Sequence, residues 1–139
     1  EIFNEIWLMK PEEKPLGKIF NKIVVFPRYT QSYGLDYPFS GQVAVSKPIE
    51  NSFLVSILDY VNSLEKIKYN QILVNWYTDG SEYIGEHSDS ENEFVNNSSI
   101  YSFSFGQTRD FVVKGKDGYR LVIPLENNTM VIMGYVQHY

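Results

Sequence analysis

His87 and Asp89 are the two side chains of this sequence best suited to metal chemistry. They stand two residues apart in the stretch Gly85-Glu86-His87-Ser88-Asp89-Ser90-Glu91. On an extended segment, an imidazole and a carboxylate at this spacing can bind one face of a metal ion. They would supply two ligands of an open 2-His-1-carboxylate site that lets non-haem Fe(II) activate O₂, although Mn, Co and Ni also fit. Alone, the pair is weak evidence, because a surface histidine beside a solvated acid is commoner.

The third ligand of such a site would be a second histidine, far down the chain. The sequence has two histidines, and the other one is His138, next to the last residue Tyr139. Because the chain begins at Glu1 without an initiator methionine and ends within a strand-like pattern, we expect a domain truncated at both ends. Two alternatives stay open here: His138 is the third ligand, or that ligand lies beyond Tyr139.

Composition indicates one well-packed globular domain. The chain has 139 residues, of which 43% are hydrophobic and 16% aromatic, and this is typical of a folded protein. The absence of cysteine excludes disulfides, zinc ribbons and thiolate catalysis. No apolar run approaches the roughly 18 residues of a membrane span, and no signal peptide is visible. The lack of cysteine leaves the compartment open and is compatible with the intracellular setting that we expect, and we expect no membrane partner.

Charge is distributed unevenly. The chain carries a net charge of −5, yet residues 10–28 hold five basic side chains against two glutamates. A local basic strip can hold a phosphate backbone even on an acidic protein, whereas the simpler interpretation is a solvated surface. The basic residues of the strip are Lys10, Lys14, Lys18, Lys22 and Arg28.

Apolar spacing predicts the elements that must position these residues. A first helix ends at Pro11, and a second covers about 51–65 behind a cap at Asn51 or Ser52. The later sequence predicts strands, with a turn at 78–81 and a hairpin turn at Asp117-Gly118. Two N-terminal helices followed by seven or eight antiparallel strands indicate an α+β domain, most simply a double-sheet jelly roll with the helices packed on one sheet. Five of the strands can be given bounds, and these are 71–77, 100–105, 111–113, 119–125 and 130–133.

Two stretches carry a resemblance to a known family. The first is Asn75-Trp76-Tyr77-x-Asp79-Gly80-x-x-x-Ile84-Gly85-x-His87-x-Asp89-x-Glu91, and the second is Ile100-x-Ser102-x-Ser104-Phe105-Gly106-x-x-Arg109-Asp110-Phe111. Together they resemble the core of the AlkB family of Fe(II)/2-oxoglutarate dioxygenases. Upstream, Pro27-Arg28-x-x-x-x-Tyr33-Gly34 and Tyr37-x-Phe39-Ser40-Gly41 are similar to the branch that contains the mammalian nuclear DNA-repair homologues.

This resemblance implies a fold and a division of the chain. The fold would be a double-stranded β-helix, in agreement with the jelly roll expected from the strand pattern. One domain would cover 1–139, with substrate recognition in about 1–45 and a catalytic core in about 46–139.

The resemblance also implies roles in the iron site. His87 and Asp89 match the metal ligands, and Asn75 and Tyr77 match the side chains that hydrogen-bond the cosubstrate 2-oxoglutarate. Their structural alternatives are a strand-end cap for Asn75 and a core aromatic for Tyr77. His138 follows Gln137 directly, whereas the family places its distal histidine further downstream. No arginine follows Arg120 to clamp the cosubstrate carboxylates, so the chain by itself should chelate iron poorly.

A second group of residues matches the family's substrate site. Tyr37 and Phe39 match the pocket for a flipped methylated base, and Ser40 and Glu91 match polar residues around it. The alternative for the aromatic pair is cross-strand packing. The alternative for Glu91 is membership of a solvated acidic run, which consists of Glu82, Glu86, Asp89, Glu91 and Glu93.

Duplex contacts are implied further upstream. Phe20 matches an intercalating finger, an apolar wedge placed between Lys18 and Lys22, which can reach phosphates. A buried strand phenylalanine is its alternative. Arg28 would contact DNA or line the pocket mouth, while Arg109 and Asp110 can form a structural pair.

The implied activity is oxidative dealkylation of bases such as 1-methyladenine and 3-methylcytosine, with Fe(II), O₂ and 2-oxoglutarate. The expected partner is alkylated nucleic acid, DNA in preference to RNA, bound by a monomer that is nuclear in a eukaryotic cell. Two alternatives stay open: an RNA or protein demethylase of the same fold, and an inactive module that only binds nucleic acid.

Overall fold

A computed structural model describes residues 1–39, 42–87 and 98–134 of the chain, apart from the side chain of Phe39. Residues Glu1–Gly85 form one compact unit and Glu86–Tyr139 form a second. The described residues contain two helices and ten strands. These are α1 Ile2–Leu8, β1 Leu16–Ile19, β2 Lys22–Val25, β3 Tyr29–Tyr33, β4 Tyr37–Phe39, β5 Gln42–Ala44, α2 Ser52–Leu64, β6 Ile72–Trp76, β7 Ile100–Ser104, β8 Arg109–Lys114, β9 Arg120–Leu125 and β10 Thr129–Met133.

The strands pair in twos, and every pair in the described ranges is antiparallel. The first unit contains the pairs β1–β2, β3–β6 and β4–β5, and the second contains β7–β10 and β8–β9. The α+β class expected from the sequence is confirmed. The expected order of elements is wrong, because five short strands lie between the two helices. Four of them have only three or four residues, which left little periodicity for the sequence pattern to reveal, and the fifth, β3, has the largely polar sequence Tyr-Thr-Gln-Ser-Tyr.

Helix α2 follows the sequence prediction closely. The side-chain oxygen of Asn51 accepts hydrogen bonds from the backbone N–H groups of Phe53 (2.9 Å) and Leu54 (3.2 Å), so Asn51 is the predicted N-cap. Leu54 and Val61, seven residues apart, are the two buried members of its apolar stripe. Neither helix of the described chain is long and apolar enough to cross a membrane.

The core of the first unit fixes strand β6. Trp76 is 3% exposed, and its indole N–H donates to the backbone carbonyl of Ile6 at 3.0 Å, near the end of α1. Because Trp76 points into the core, the side chains of its neighbours in the strand project from the opposite face. The buried apolar residues are Ile6, Phe26, Tyr33, Leu54, Val61 and Trp76.

The second unit contains the hairpin that Asp117-Gly118 predicted. Strands β8 and β9 pair from Arg109 with Leu125 to Lys114 with Arg120. At the tip, the carboxylate of Asp117 accepts the backbone N–H of Tyr119 at 3.0 Å, and Gly118 has a φ of +89°. The turn is therefore built from residues whose chemistry suits it.

Candidate functional site

One face of the β3–β6 pair collects polar side chains that the sequence singled out. Thr30 lies opposite Asn75, and Tyr29 lies opposite Trp76. Because side chains alternate along a strand, Asn75 projects from the face opposite Trp76. Arg28 and Tyr77 come one residue beyond the last pair, at the same end of the ladder.

Two polar atoms on this part of the first unit are buried and unsatisfied. Arg28 Nε, a donor, and Asn75 Oδ1, an acceptor, make no hydrogen bond with any described residue. Leaving a buried polar atom unpaired costs about 1–3 kcal/mol, so such atoms point to a ligand that satisfies them. A strand-end cap would accept a backbone hydrogen bond, and the absence of one within the described chain argues against that alternative for Asn75.

Arg28 lies among aromatic side chains. Its guanidinium carbon is 5.4 Å from the centre of the Phe26 ring, and the hydroxyls of Tyr77 and Tyr37 interact with it electrostatically. Burial lowers the pKa of the Arg28 guanidinium below its ordinary value, and the two tyrosines oppose that shift. Arginine nevertheless remains a cation at neutral pH, so the site holds one fixed positive charge.

The base-pocket residues are partly visible. Tyr37 is half-buried and lies opposite Ala44 in the β4–β5 pair. Tyr77 is also half-buried, directly after β6. Phe39 ends β4, but its side chain, together with Ser40 and Glu91, lies outside the described residues. Tyr37, predicted for the base pocket, and Tyr77, predicted for the cosubstrate, both interact electrostatically with Arg28.

Phe20 stands at the tip of the hairpin formed by β1 and β2, residues 16–25, which we term the Phe20 hairpin. Its side chain is 95% exposed, so the alternative of a buried strand residue is wrong. Phe20 and Asn21 form the two-residue turn, with φ values of +49° and +64°. This is the pattern of a type I′ turn, which favours asparagine and glycine and disfavours a bulky aromatic. Stability therefore does not explain a phenylalanine here.

Two charged residues change the interpretation of the sequence's charge runs. Glu82 is 4% exposed, so it is not part of a solvated acidic run. Its carboxylate forms an ion pair with Lys14 and accepts the backbone N–H of Thr78 at 2.6 Å. Burial alone would raise the pKa of Glu82, but the hydrogen bonds from Lys14 and Thr78 outweigh it and lower that pKa. Part of the basic strip is thus structural.

The metal ligands are the least described part of the site. His87, in the second unit, is exposed, while Asp89 and His138 lie outside the described residues. Within the described ranges, no group of three or more His, Asp or Glu side chains could hold a metal ion. The donor types nevertheless suit iron: a histidine nitrogen and an aspartate oxygen are facial-triad ligands.

The family model described as the 2OG-Fe(II) oxygenase superfamily matches residues 14–139. The chain belongs to this superfamily. It is 41% identical to the human DNA oxidative demethylase ALKBH2 over 72% of the chain and 39% of that protein. It is 33% identical to the Arabidopsis thaliana DNA oxidative demethylase ALKBH2 over 76% of the chain and 36% of that protein. The resemblance to the AlkB family is confirmed.

A second group of relatives is less similar. The mouse alpha-ketoglutarate-dependent dioxygenase alkB homolog 3 is 30% identical over 77% of the chain and 41% of that protein. The chain spans about two-fifths of the length of the curated relatives it matches.

The Lys14–Glu82 pair was missed by sequence reasoning. Its members are 68 positions apart in sequence and sit inside two charge runs that looked solvated. The available signal was local: Glu82 lies four residues after Thr78, close enough for a carboxylate to accept the N–H at the start of a turn.

Proposed function

We propose that the protein containing this chain is an Fe(II)- and 2-oxoglutarate-dependent dioxygenase that removes alkyl groups from N-alkylated bases in DNA. The observation that carries the proposal is the pair of buried, unsatisfied polar atoms on Arg28 and Asn75, beside Tyr37 and Tyr77. Membership of the superfamily supplies the chemistry that such a polar cradle would serve. The names of the relatives support DNA as the substrate.

Asn75 and Tyr77 would hold the cosubstrate. A carboxylate offers only acceptors, so it needs N–H and O–H donors. The side-chain amide of Asn75 can present its nitrogen by rotating about its last torsion, and the Tyr77 hydroxyl supplies a second donor. Both groups stand at the same end of β6, two residues apart, in a site that is partly shielded from water.

Tyr37, Phe39, Ser40 and Glu91 would hold the target base. A base drawn out of a duplex loses stacking worth a few kcal/mol, and an aromatic face can recover about 1–3 kcal/mol of it. Arg28, which interacts electrostatically with Tyr37 and Tyr77, would line the mouth of this pocket. The Glu91 carboxylate would accept a hydrogen bond from the exocyclic amine of adenine or cytosine, and its charge would favour cationic bases.

Phe20 would open the duplex. An apolar side chain that is 95% exposed on the tip of a narrow hairpin can enter between base steps, and Lys18 and Lys22 flank it as exposed cations for the phosphates. This arrangement supports double strands in preference to single strands, and the names of the relatives support DNA in preference to RNA.

His87 and Asp89 would bind Fe(II), with His138 or a histidine beyond Tyr139 as the third ligand. When bound, the metal and cosubstrate supply the oxidation of the N-alkyl carbon by O₂, and the protein positions the base and excludes water. We further propose that one double-stranded β-helix domain holds all these residues, with substrate recognition in about 1–45 and the catalytic core in about 46–139. The protein would act as a monomer, in the nucleus of a eukaryotic cell.

The test is formaldehyde release by the full-length protein from oligonucleotides that contain 1-methyladenine or 3-methylcytosine. We expect release that requires both Fe(II) and 2-oxoglutarate and that is lost in His87→Ala. Asn75→Leu should raise the KM for 2-oxoglutarate more than it changes kcat, since it removes a cosubstrate donor. A wild-type protein that releases no product under these conditions would overturn the catalytic proposal.

RNA oligonucleotides of the same sequence complete the test. Equal rates on DNA and RNA would contradict the preference for DNA and leave the chemistry intact. Glu91→Gln should lose part of the preference for cationic bases over neutral alkylated ones. If the variant keeps that preference in full, Glu91 has no electrostatic role.

A further inference from the structure

The ion pair between Lys14 and Glu82 joins two functional parts of the first unit. Glu82 accepts the N–H of Thr78, the residue that follows Tyr77 at the end of β6. Lys14 lies two residues before Leu16, where the Phe20 hairpin begins. One buried carboxylate therefore ties the end of the proposed cosubstrate strand to the base of the hairpin.

Aromatic contacts hold the lysine in place. The Lys14 ammonium lies 5.5 Å from the centre of the Tyr29 ring, and the Lys10 ammonium lies over the same ring at 3.8 Å. Tyr29 is itself fixed opposite Trp76 in the β3–β6 ladder. A lysine that is already restrained by an aromatic ring loses less side-chain entropy when it forms an ion pair than an exposed lysine does.

Backbone hydrogen bonds continue the connection on both sides. The N–H of Phe26, just after β2, donates to the carbonyl of Pro15 at 2.9 Å and closes the base of the hairpin. The N–H of Tyr83, next to Glu82, donates to the carbonyl of Pro27 at 2.8 Å, next to Arg28. Residues 14–15, 26–28 and 78–83 thus form one hydrogen-bonded seam below the hairpin, with the ion pair at its centre.

We infer that Lys14 and Glu82 are positioning residues that fix the Phe20 hairpin relative to the strand of Asn75 and Tyr77, and so set the preference for duplex over single-stranded substrate. This inference rests on the proposed function. The reason is geometric: a wedge at the hairpin tip opens a duplex usefully only if the freed base reaches a pocket at a set distance. A single strand needs no wedge, so its turnover depends less on the hairpin.

The experiment compares three variants of the full-length protein with the wild type. Lys14→Met leaves the Glu82 carboxylate buried without its cation. Glu82→Gln keeps an oxygen that can accept the Thr78 N–H but abolishes the ion pair. The double variant has neither charge and so avoids an unpaired buried carboxylate. Controls are Lys66→Met and Glu50→Gln, which each remove one exposed charge outside the residues of the seam.

The first measurement is the ratio of kcat/KM on duplex to kcat/KM on single-stranded methylated DNA. We expect each variant to lower this ratio by about tenfold, within the loss that a small misplacement of a catalytic group can cause. The two controls should keep the wild-type ratio. The double variant is informative because its thermal stability should recover relative to Lys14→Met while its ratio stays low. Equal losses on both substrates, or a ratio that recovers with stability, would overturn the inference.

The second measurement does not require turnover. A duplex with 2-aminopurine at the target position reports unstacking by fluorescence when the metal-free protein binds. The wild type should raise the fluorescence, and the three variants should raise it less at saturating protein. If the wild type unstacks the base but releases no formaldehyde, the proposed chemistry fails and the fluorescence of the variants decides the inference. If the wild type does neither, both are overturned.

Discussion

Two hairpins of the described chain, β1–β2 and β8–β9, have positive backbone φ angles at their tips but place different residues there. In the β8–β9 hairpin, the residue with φ of +89° is Gly118, and Asp117 caps the turn with its own carboxylate. In the Phe20 hairpin, the residues with positive φ are a phenylalanine and an asparagine. The first tip is built for stability. The second has a strained, exposed aromatic residue that selection for stability alone would not favour, and this difference supports the proposed role of Phe20.

The ion pairs beside the two hairpins differ in the same direction. Lys114, in β8, pairs with Glu86 at 2.6 Å, with side chains 48% and 68% exposed. Lys14 pairs with Glu82, whose side chain is only 5% exposed. An exposed pair contributes little to stability, whereas removing one partner of a buried pair leaves an uncompensated charge. The Phe20 hairpin, which has the strained tip, is thus the hairpin whose base is held by an ion pair with a buried carboxylate.

Phe20→Ala should have the largest effect. Removing the wedge should lower duplex repair by roughly tenfold or more, because base stacking on an aromatic face is worth about 1–3 kcal/mol. Repair of single strands should change little. The unfolding free energy should not fall, since the side chain is 95% exposed. Parallel kinetics on both substrates check this, and equal losses on both would show that Phe20 is not a wedge.

Converting the tip to Asn-Gly should sharpen the contrast. The double substitution Phe20→Asn/Asn21→Gly places the preferred type I′ residues where φ is positive, so the unfolding free energy should rise by about 1 kcal/mol. Duplex repair should fall as in Phe20→Ala. Urea unfolding measures the gain. A loss of stability would mean that Phe20 is not strained, and the comparison of the two tips would break.

Gly118→Ala tests the other tip. A Cβ at Gly118 would meet nothing within 4 Å, so the cost is backbone strain alone. We expect about 1 kcal/mol of destabilisation, from an alanine held in the left-handed region. Gly80→Ala is the matched control, because its Cβ is also in open space and its φ is not in that region. Identical unfolding free energies for the two variants would contradict the argument.

The decrease in unfolding free energy at acidic pH should depend on Glu82. Its folded-state pKa is lowered, so its carboxylate contributes stability above the ordinary glutamate pKa of about 4.3. That contribution is lost as the pH falls through the lower folded-state pKa. The difference in unfolding free energy between wild type and Glu82→Gln should therefore shrink as the pH falls below about 4.3. A constant difference from neutral to acidic pH would show that the charge of Glu82 contributes nothing.

Lys114→Met should have the smallest effect. Its ion pair is exposed on both sides, so the unfolding free energy should change by less than about 0.5 kcal/mol. Lys14→Met, measured in the same urea series, should be clearly less stable. If the two variants lose equally, burial of Glu82 does not distinguish the two pairs.

Local patterns in the sequence predicted much of the fold. The apolar stripe of α2, its cap at Asn51 and the strands β6 to β10 all carry periodicity or turn residues within a few positions. Strands β1, β2, β4 and β5 were not predicted because strands of three or four residues have no clear period, and β3 was not predicted because its sequence Tyr-Thr-Gln-Ser-Tyr is largely polar. The tip at Phe20 could not be read from turn preferences, since those preferences favour asparagine and glycine.

The site residues also divide into those that local sequence motifs predicted and those that they did not. Arg28 and Tyr37 belong to the upstream motifs that carried the family resemblance, Asn75 and Tyr77 belong to the later one, and their roles stay predictions. The spacing from Thr78 is a local signal for the hydrogen bond of Glu82, but nothing in a single sequence shows that its carboxylate is buried. Its burial depends on Lys14, far away along the chain.

Trp76 gives this protein a natural optical probe. The chain has two tryptophans. Trp7 stacks on Phe3, whereas Trp76 is buried and lies in the sequence between the predicted cosubstrate residues Asn75 and Tyr77. With Trp7→Phe, the remaining emission would come from a single indole hydrogen-bonded to the end of α1. The wavelength and intensity of its emission would then report ligand binding near β6 in real time. Stopped-flow mixing with 2-oxoglutarate could separate cosubstrate binding from DNA binding without any added label.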